Sequence, residues 1–236
     1  MGTDMPVLQI RDVAKEFTLH AQDGARLPVF ENLSFDLKPS ECMALNGPSG
    51  IGKSTLMRMI YGNFHCPSGE ILIRHQGDWI DIASAHPHRI LDIRCHTLGY
   101  VSQFLRVLPR VPTLDIVKEP ALAQGVDDDE ASKRARHLLT RLRVPERLWS
   151  LSPMTFSGGE QQRVNLARCF SAHYPIMLLD EPTASLDAEN RQTVIEIISE
   201  ARTRGCAMVG IFHDQPARDA LCTREIDMSL CAAKAA

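Results

Sequence analysis

Hydrophobic positions alternate at the start of the chain and later switch to helical spacing. Leu8, Ile10 and Val13, continued by Phe17 and Leu19, read as a strand. The run QDGAR, Gln22 to Arg26, supplies a turn, and the stretch 29–37 reads as a second strand, closed by Lys38, Pro39 and Ser40. The stretch 42–45 is a short apolar run that ends at a glycine-rich loop, and 55–61 then reads as a helix. A buried strand, a glycine loop and a helix in that order predict a nucleotide-binding α/β core. The stretches 70–74 and 79–82 flank the turn His75-Gln76-Gly77-Asp78 and predict an antiparallel hairpin.

The middle of the chain is helical in pattern. Asp127, Asp128, Asp129 and Glu130 open a helix whose later residues are basic (Lys133, Arg134, Arg136, Arg141, Arg143), an order that suits the helix dipole. Ala131, Ala135, Leu138, Leu139 and Leu142 share one face at helical spacing. The last third returns to α/β. A wholly apolar strand, 176–179, ends in Asp180-Glu181-Pro182. Val194, Ile197, Ile198 and Ala201 mark an amphipathic helix that stops near Gly205, and 206–212 is the next buried strand, ending at His213. No internal repeat is visible, and 232–236 reads as a frayed tail.

Composition narrows the class without naming it. The chain has 236 residues, enough for one large domain or one core with an inserted lobe; 44% are hydrophobic and 23% charged. A net charge of −3 gives no reason to expect nucleic-acid binding, and the basic side of the central helix reads as a solvated face. The opening MGTDMPVLQIRDV has neither the basic flank nor the apolar core of a signal peptide, and no apolar run is long enough to span a bilayer. Seven cysteines without C-x-x-C spacing read as reduced thiols of a cytoplasmic protein. His86, His88, Cys95 and His96 cluster loosely, but their spacing fits no common structural zinc pattern.

Three segments carry chemistry. Gly47-Pro48-Ser49-Gly50-Ile51-Gly52-Lys53-Ser54, followed by Thr55, fits G-x-x-x-x-G-K-[ST]. Its glycines let backbone N–H groups turn toward phosphate oxygens, Lys53 adds charge for the β- and γ-phosphates of ATP, and Ser54 can ligate Mg²⁺. The strand before Asp180-Glu181 delivers two carboxylates to the edge where phosphates lie: Asp180 for the Mg²⁺ shell, Glu181 to polarise the attacking water. Phe156-Ser157-Gly158-Gly159-Glu160 opens a further helix. Ser157 with Glu160 reads as a capping box, while Gly158 and Gly159 leave bare amides, a second anion site. One ATP cannot easily meet both helix starts within one monomer; two chains packed head to tail can each lend a signature to the other's nucleotide.

With these residues in view, nearly all of the chain resembles an ATP-binding-cassette (ABC) ATPase subunit. The resemblance implies a P-loop cassette of α/β class: a RecA-like core, an antiparallel β subdomain and an inserted α-helical subdomain. It divides the chain into core (1–103 and 156–236) and helical lobe (104–155). It further implies that Phe17 stacks on adenine and that Gln103 touches Mg²⁺ and links core to lobe. In the same way it implies that the loop Ala184-Ser185-Leu186-Asp187 crosses the dimer interface and that His213 contacts the γ-phosphate. Phe156 and Glu160 depart from the commonest L-S-G-G-Q signature and leave Ser157 and both glycines in place.

A narrower resemblance lies outside the ATP motifs. The segments 23–29 (DGARLPV), 103–110 (QFLRVLPR) and 138–149 (LLTRLRVPERLW), together with 155–165 around the signature, are similar to the PhnL group. These are cassette proteins of the bacterial phosphonate carbon–phosphorus lyase system. The resemblance implies action in phosphonate metabolism with the soluble lyase core and a companion cassette. Two other readings stay open at this point: the ATP-binding subunit of a membrane transporter of exporter or lipoprotein-release type, and an ATP-gated assembly clamp with slow turnover. The second cassette is this chain itself or a companion. The protein is expected in the cytoplasm, peripheral to a membrane only through a partner.

Overall fold

The computed structural model describes residues 5–19, 24–105 and 109–232. Two sheets organise it. In the first, β1 (Leu8–Leu19) pairs antiparallel with β2 (Ala25–Leu37) from Leu8 opposite Leu37 to Leu19 opposite Ala25. On its other side β1 pairs with β4 (Ser68–His75), which turns into β5 (Asp78–Asp81). The order is β2-β1-β4-β5. The expected hairpin is this β4–β5 pair. His75 lies opposite Asp78, and Gln76 and Gly77 both have positive φ, the requirement of a two-residue primed turn.

The second strand begins earlier than its apolar pattern indicated. Residues 25–28 pair with 16–19, although Arg26 and Leu27 are exposed, so hydrophobicity marked only the covered half of the strand. Of the expected turn, Gln22 and Asp23 lie outside the described residues, Gly24 has φ 75°, and Ala25 already belongs to β2. Of the expected tail, 233–236 also lies outside them.

The second sheet is parallel. It contains β3 (Cys42–Asn46), β6 (Leu98–Val101), β7 (Ile176–Asp180), β8 (Ala207–Ile211) and β9 (Arg224–Asp227), in the order β6-β7-β8-β3-β9. Both faces of β7 and β8 are covered, which is why these strands are continuous apolar runs. Met43, Leu45, Ile176, Leu178 and Val209 pack toward the antiparallel sheet with Leu8, Phe30, Ile71 and helix α1 (Lys53–Ile60). Cys42, Ala44, Met177, Leu179 and Met208 pack on the opposite face under the other helices.

Those helices are α3 (Thr113–Ala123), α4 (Asp128–Arg141), α5 (Gly158–Ser171), α6 (Ala188–Thr203) and α7 (Gln215–Leu221). Helix α2 (Pro87–His96) precedes β6. Helix α4 starts as its sequence implied: Asp127 accepts from the Glu130 N–H, and Ala131, Ala135, Leu138 and Leu139 are buried. Helices α3 and α4 both pack on α5, and α4 is further joined to α6 by the bidentate pair of Arg141 with Glu200. Helix α1 begins at Lys53, two residues before the apolar pattern started. Gly52, at φ 104°, is its left-handed N-cap, and a Cβ there would lie 2.5 Å from Val29 and 2.9 Å from Phe30. Only glycine lets β2 approach the first turn so closely.

Candidate nucleotide site

Four neighbouring parallel strands end on one edge of the sheet and deliver the candidate residues together. β3 leads into the glycine loop, β7 into Glu181, β8 into His213 and β6 into Gln103. The crevice outside the carboxyl ends of such strands is where open α/β sheets take ligands. Ser49, Gly50, Gly52, Lys53, Ser54, Thr55, Glu181, Ile211 and His213 line a cleft of about 170 Å³ there.

Lys53 is buried, and its Nζ donates to the carbonyls of Gly47 at 2.6 Å and Pro48 at 3.0 Å. Burial draws its pKa down, against the opposing field of Glu181. This is a cation short of negative partners at the mouth of a glycine cradle, which suits phosphate oxygens. Ile51 packs into the core side of the loop rather than into the cleft.

Asp180 is almost fully buried. Ser54 Oγ donates to its Oδ1 at 3.2 Å and Tyr100 Oη to its Oδ2 at 3.0 Å. Burial raises its pKa in spite of these two bonds and the field of Arg58, with the neighbouring Glu181 charge adding to the rise. A hydroxyl and a desolvated carboxylate side by side fit a hard divalent ion that keeps waters and takes its remaining ligands from phosphates, as Mg²⁺ does. Tyr100 was missed by sequence reasoning, because its hydroxyl meets a carboxylate 80 positions away.

Glu181 sits in the left-handed region, φ 54°, unusual for a residue with a Cβ. Its N–H donates to the Ile211 carbonyl at 3.1 Å, which ties this backbone to β8. Gln103 Nε2 donates to Oε2 at 3.2 Å, and His213 Nε2 lies 2.8 Å from Oε1. A carboxylate can only accept, so His213 carries its proton on Nε2.

Other candidates stand apart from this cleft. Phe17, on β1, is half-buried and meets Phe64 edge-on at 5.8 Å, with Lys15 Nζ 4.9 Å from its ring centre. Ser157 caps α5: the Glu160 N–H donates to its Oγ at 3.4 Å, while Glu160 Oε2 accepts from Ser157 N at 2.9 Å and Oγ at 2.7 Å. These bonds hold the Glu160 carboxyl below its usual range. The capping box is therefore formed, and Gly158 remains open, with nothing near the place of a Cβ. A Cβ on Gly159 would lie 3.3 Å from the Ser185 carbonyl, so the start of α5 rests on the loop 184–187. Asp187 caps α6 by accepting from the Asn190 N–H at 2.8 Å. His86, His88, Cys95 and His96 form no metal cluster: among the described residues no group of three or more His, Cys, Asp or Glu is placed to hold one.

A phosphate loop on a parallel sheet, with a paired hydroxyl and carboxylate and a second carboxylate at its mouth, defines a P-loop nucleoside-triphosphatase. The sequence model of the ABC transporter family matches residues 30–184. HrtA of Staphylococcus epidermidis, provisionally named as a hemin import ATP-binding protein, is 32% identical over 88% of this chain and 90% of its own. LolD of Syntrophus aciditrophicus, the ATP-binding protein of a lipoprotein-releasing system, is 32% identical over 89% and 91%. The dimeric structure of MJ0796, a bacterial ABC transporter cassette, superposes with a TM-score of 0.83 at 25% identity, over 94% of both chains. The same cassette is also known as a dimer in a post-hydrolysis state with ADP and Pi. The chain belongs to the ABC transporter family of ATP-binding cassettes, and it is an ATPase.

Proposed function

We propose that this cassette hydrolyses ATP at the interface of a head-to-tail dimer, with itself or a companion cassette, and that closure and opening drive a separate partner. One observation carries this reading. Glu181 is held between Gln103 and His213 at the mouth of the phosphate loop, while the other amide-rich helix start, 157–159, is not part of that cleft's lining. A second chain must bring its own signature to complete the site. We take 1–103 with 156–236 as core and 104–155 as helical lobe.

Within the site, Lys53 and the loop amides bind the β- and γ-phosphates, and Phe17 receives the adenine. Ser54 and Asp180 hold Mg²⁺, assisted by Gln103; when bound, the ion offsets charge on the phosphate oxygens. Glu181 orients the attacking water and takes its proton. His213 steadies Glu181 Oε1 and contacts the γ-phosphate. Ser157, Gly158 and Gly159 of the opposing cassette meet the same γ-phosphate, with Glu160 and Asp187 near the interface. Closed dimer that accumulates with ATP when hydrolysis is blocked, seen by size-exclusion chromatography, supports the arrangement; a strictly monomeric blocked variant rejects it.

The names of HrtA and LolD favour a membrane permease as the driven partner. No helix among the described residues is long and apolar enough to cross a membrane, so that permease would be a separate chain. A second reading rests on a different observation: four segments outside the phosphate loop resemble the PhnL group, which points to the carbon–phosphorus lyase machinery. Parts of two of them, Asp23 and 106–108, lie outside the described residues. The two named relatives serve different cargoes at the same 32% identity, so their likeness carries the family and not the cargo. Affinity purification of an ATP-locked variant from its own host grown on a phosphonate separates the readings. Co-purified lyase subunits support the phosphonate role, and a multi-span permease supports transport.

A further inference from the structure

Cys42 and Cys222, at the edge of the sheet opposite the nucleotide, bring two thiols into contact. Cys42 opens β3 and is completely buried; Cys222 ends α7 and is partly exposed. Their sulfurs are 3.9 Å apart across 180 positions of sequence. We propose that this pair is a redox modification site, which a two-electron oxidant of the hydroperoxide class converts to a reversible disulfide.

The contact is fixed by the backbone rather than by chance rotamers. The Thr223 N–H donates to the Cys42 carbonyl at 2.8 Å, and the Cys42 N–H donates to Thr223 Oγ1 at 3.2 Å. Arg202 also holds the Leu221 carbonyl, so the chain on each side of Cys222 is tied down. Bond formation requires the sulfurs to close to about 2.0 Å, and with the backbone held on both sides the approach is made by rotation of the partly exposed Cys222 side chain. No second pair of thiols is in contact among the described residues. Cys66, Cys95, Cys169 and Cys206 turn their sulfurs to backbone carbonyls instead.

The two thiols differ in the way a redox pair requires. The hydrogen bond from Cys42, aided by Arg218 and Arg202, draws the Cys222 pKa down. The same bond and burial push Cys42 up. Cys222 is therefore the attacking thiolate and Cys42 the resolving thiol. The Cys222 thiolate attacks one peroxide oxygen, the O–O bond breaks, and hydroxide leaves, giving a sulfenic acid. The Cys42 sulfur then attacks the Cys222 sulfur, the S–O bond breaks, and water leaves. Overall two thiols and one H₂O₂ give one disulfide and two waters, the sulfurs losing two electrons to the peroxide. A dithiol reverses the change.

The test is hydrogen peroxide treatment of the full-length protein, then thiol counting and a non-reducing peptide map. The expected result is loss of two thiols, one peptide pair joining Cys42 to Cys222, and full recovery with dithiothreitol. Cys222→Ser should abolish the cross-link while Cys95→Ser leaves it unchanged. Cys42 lies in the sheet core, so Cys222→Ser, on the partly exposed side, keeps the test independent of folding. Over-oxidation of Cys222 with Cys42 still free would overturn the proposal, as would a disulfide joining Cys206 or Cys231 to either residue.

Discussion

Replacing Glu181 with glutamine keeps the side chain's shape and removes its charge. In the wild-type site Oε1 accepts from His213 at 2.8 Å and Oε2 from Gln103 at 3.2 Å. The glutamine must turn an NH₂ toward one of these neighbours, and each can adapt. Gln103 can rotate its amide to present oxygen, or His213 can move its proton to Nδ1 and accept at Nε2. The fold then exchanges charge-assisted bonds for neutral ones, a loss of roughly 1 kcal/mol. Chemistry loses its base, a factor of roughly 10² to 10⁴ in turnover, or about 3–5 kcal/mol of barrier at about 1.4 kcal/mol per decade. The two magnitudes separate a structural role from a catalytic one. Single-turnover release of labelled phosphate should slow by that factor while ATP affinity, read by fluorescent-nucleotide titration, stays near wild type, and closed dimer should accumulate. Turnover within about threefold of wild type would refute the assignment of Glu181 as base.

Lys53→Ala removes a charge-assisted donor to the phosphates, and ATP affinity should fall roughly ten- to a hundredfold by calorimetric titration; an unchanged Kd sinks the phosphate-loop reading. Gly52→Ala places a Cβ 2.5 Å from Val29 at φ 104° and should cost about 1–3 kcal/mol in urea denaturation; a loss under about 0.5 kcal/mol would show that β2 yields freely there. Burial raises the Asp180 pKa above 3.8, so its proton binds more tightly in the folded, nucleotide-free protein than in the unfolded chain. That contribution to stability is complete below 3.8 and is lost as pH rises through the higher folded value. Asp180→Asn should not suffer this loss, so its stability relative to wild type should grow from acid to neutral pH while Mg²⁺-dependent turnover collapses; a pH-independent difference contradicts the argument.

Legibility in the sequence followed burial and short-range spacing. β3, β7 and β8 announce themselves because both faces are covered, and α4 and α6 because one face is. β6 is only four residues with a central glycine, and α3 carries Pro120 inside it, so neither shows a clean period. β9 is a largely exposed edge strand of sequence REID, held by pairing with β3 rather than by apolar burial. The phosphate loop was readable because its residues are contiguous and its glycines have a geometric reason. The bonds from Tyr100 to Asp180 and from Gln103 to Glu181 span 80 and 78 positions. They exist because β6 and β7 run side by side, a pairing that no local pattern encodes.

That pairing also determines how the carboxylate edge grips the signature helix. Gln103 bonds Glu181, and the neighbouring Ser102 carbonyl accepts from Asn165 Nδ2 at 2.7 Å. One turn further along α5, Cys169 Sγ donates to the Tyr100 carbonyl at 3.2 Å. The end of β6 thus holds α5 at its middle, while the open amides of Gly158 and Gly159 lie at its start. Asn165 is eight residues from Ser157, roughly 12 Å along a helix that rises 1.5 Å per residue. A rotation of about 10° at this grip would carry Ser157 by roughly 2 Å, enough to make or break a hydrogen bond whose useful range spans about half an ångström. Helices α3 and α4 pack on the same helix, and Arg141 also pairs α4 with Glu200 of α6. On the proposed reading, a small displacement of Gln103 beside Glu181 would therefore be amplified at the exposed start of α5.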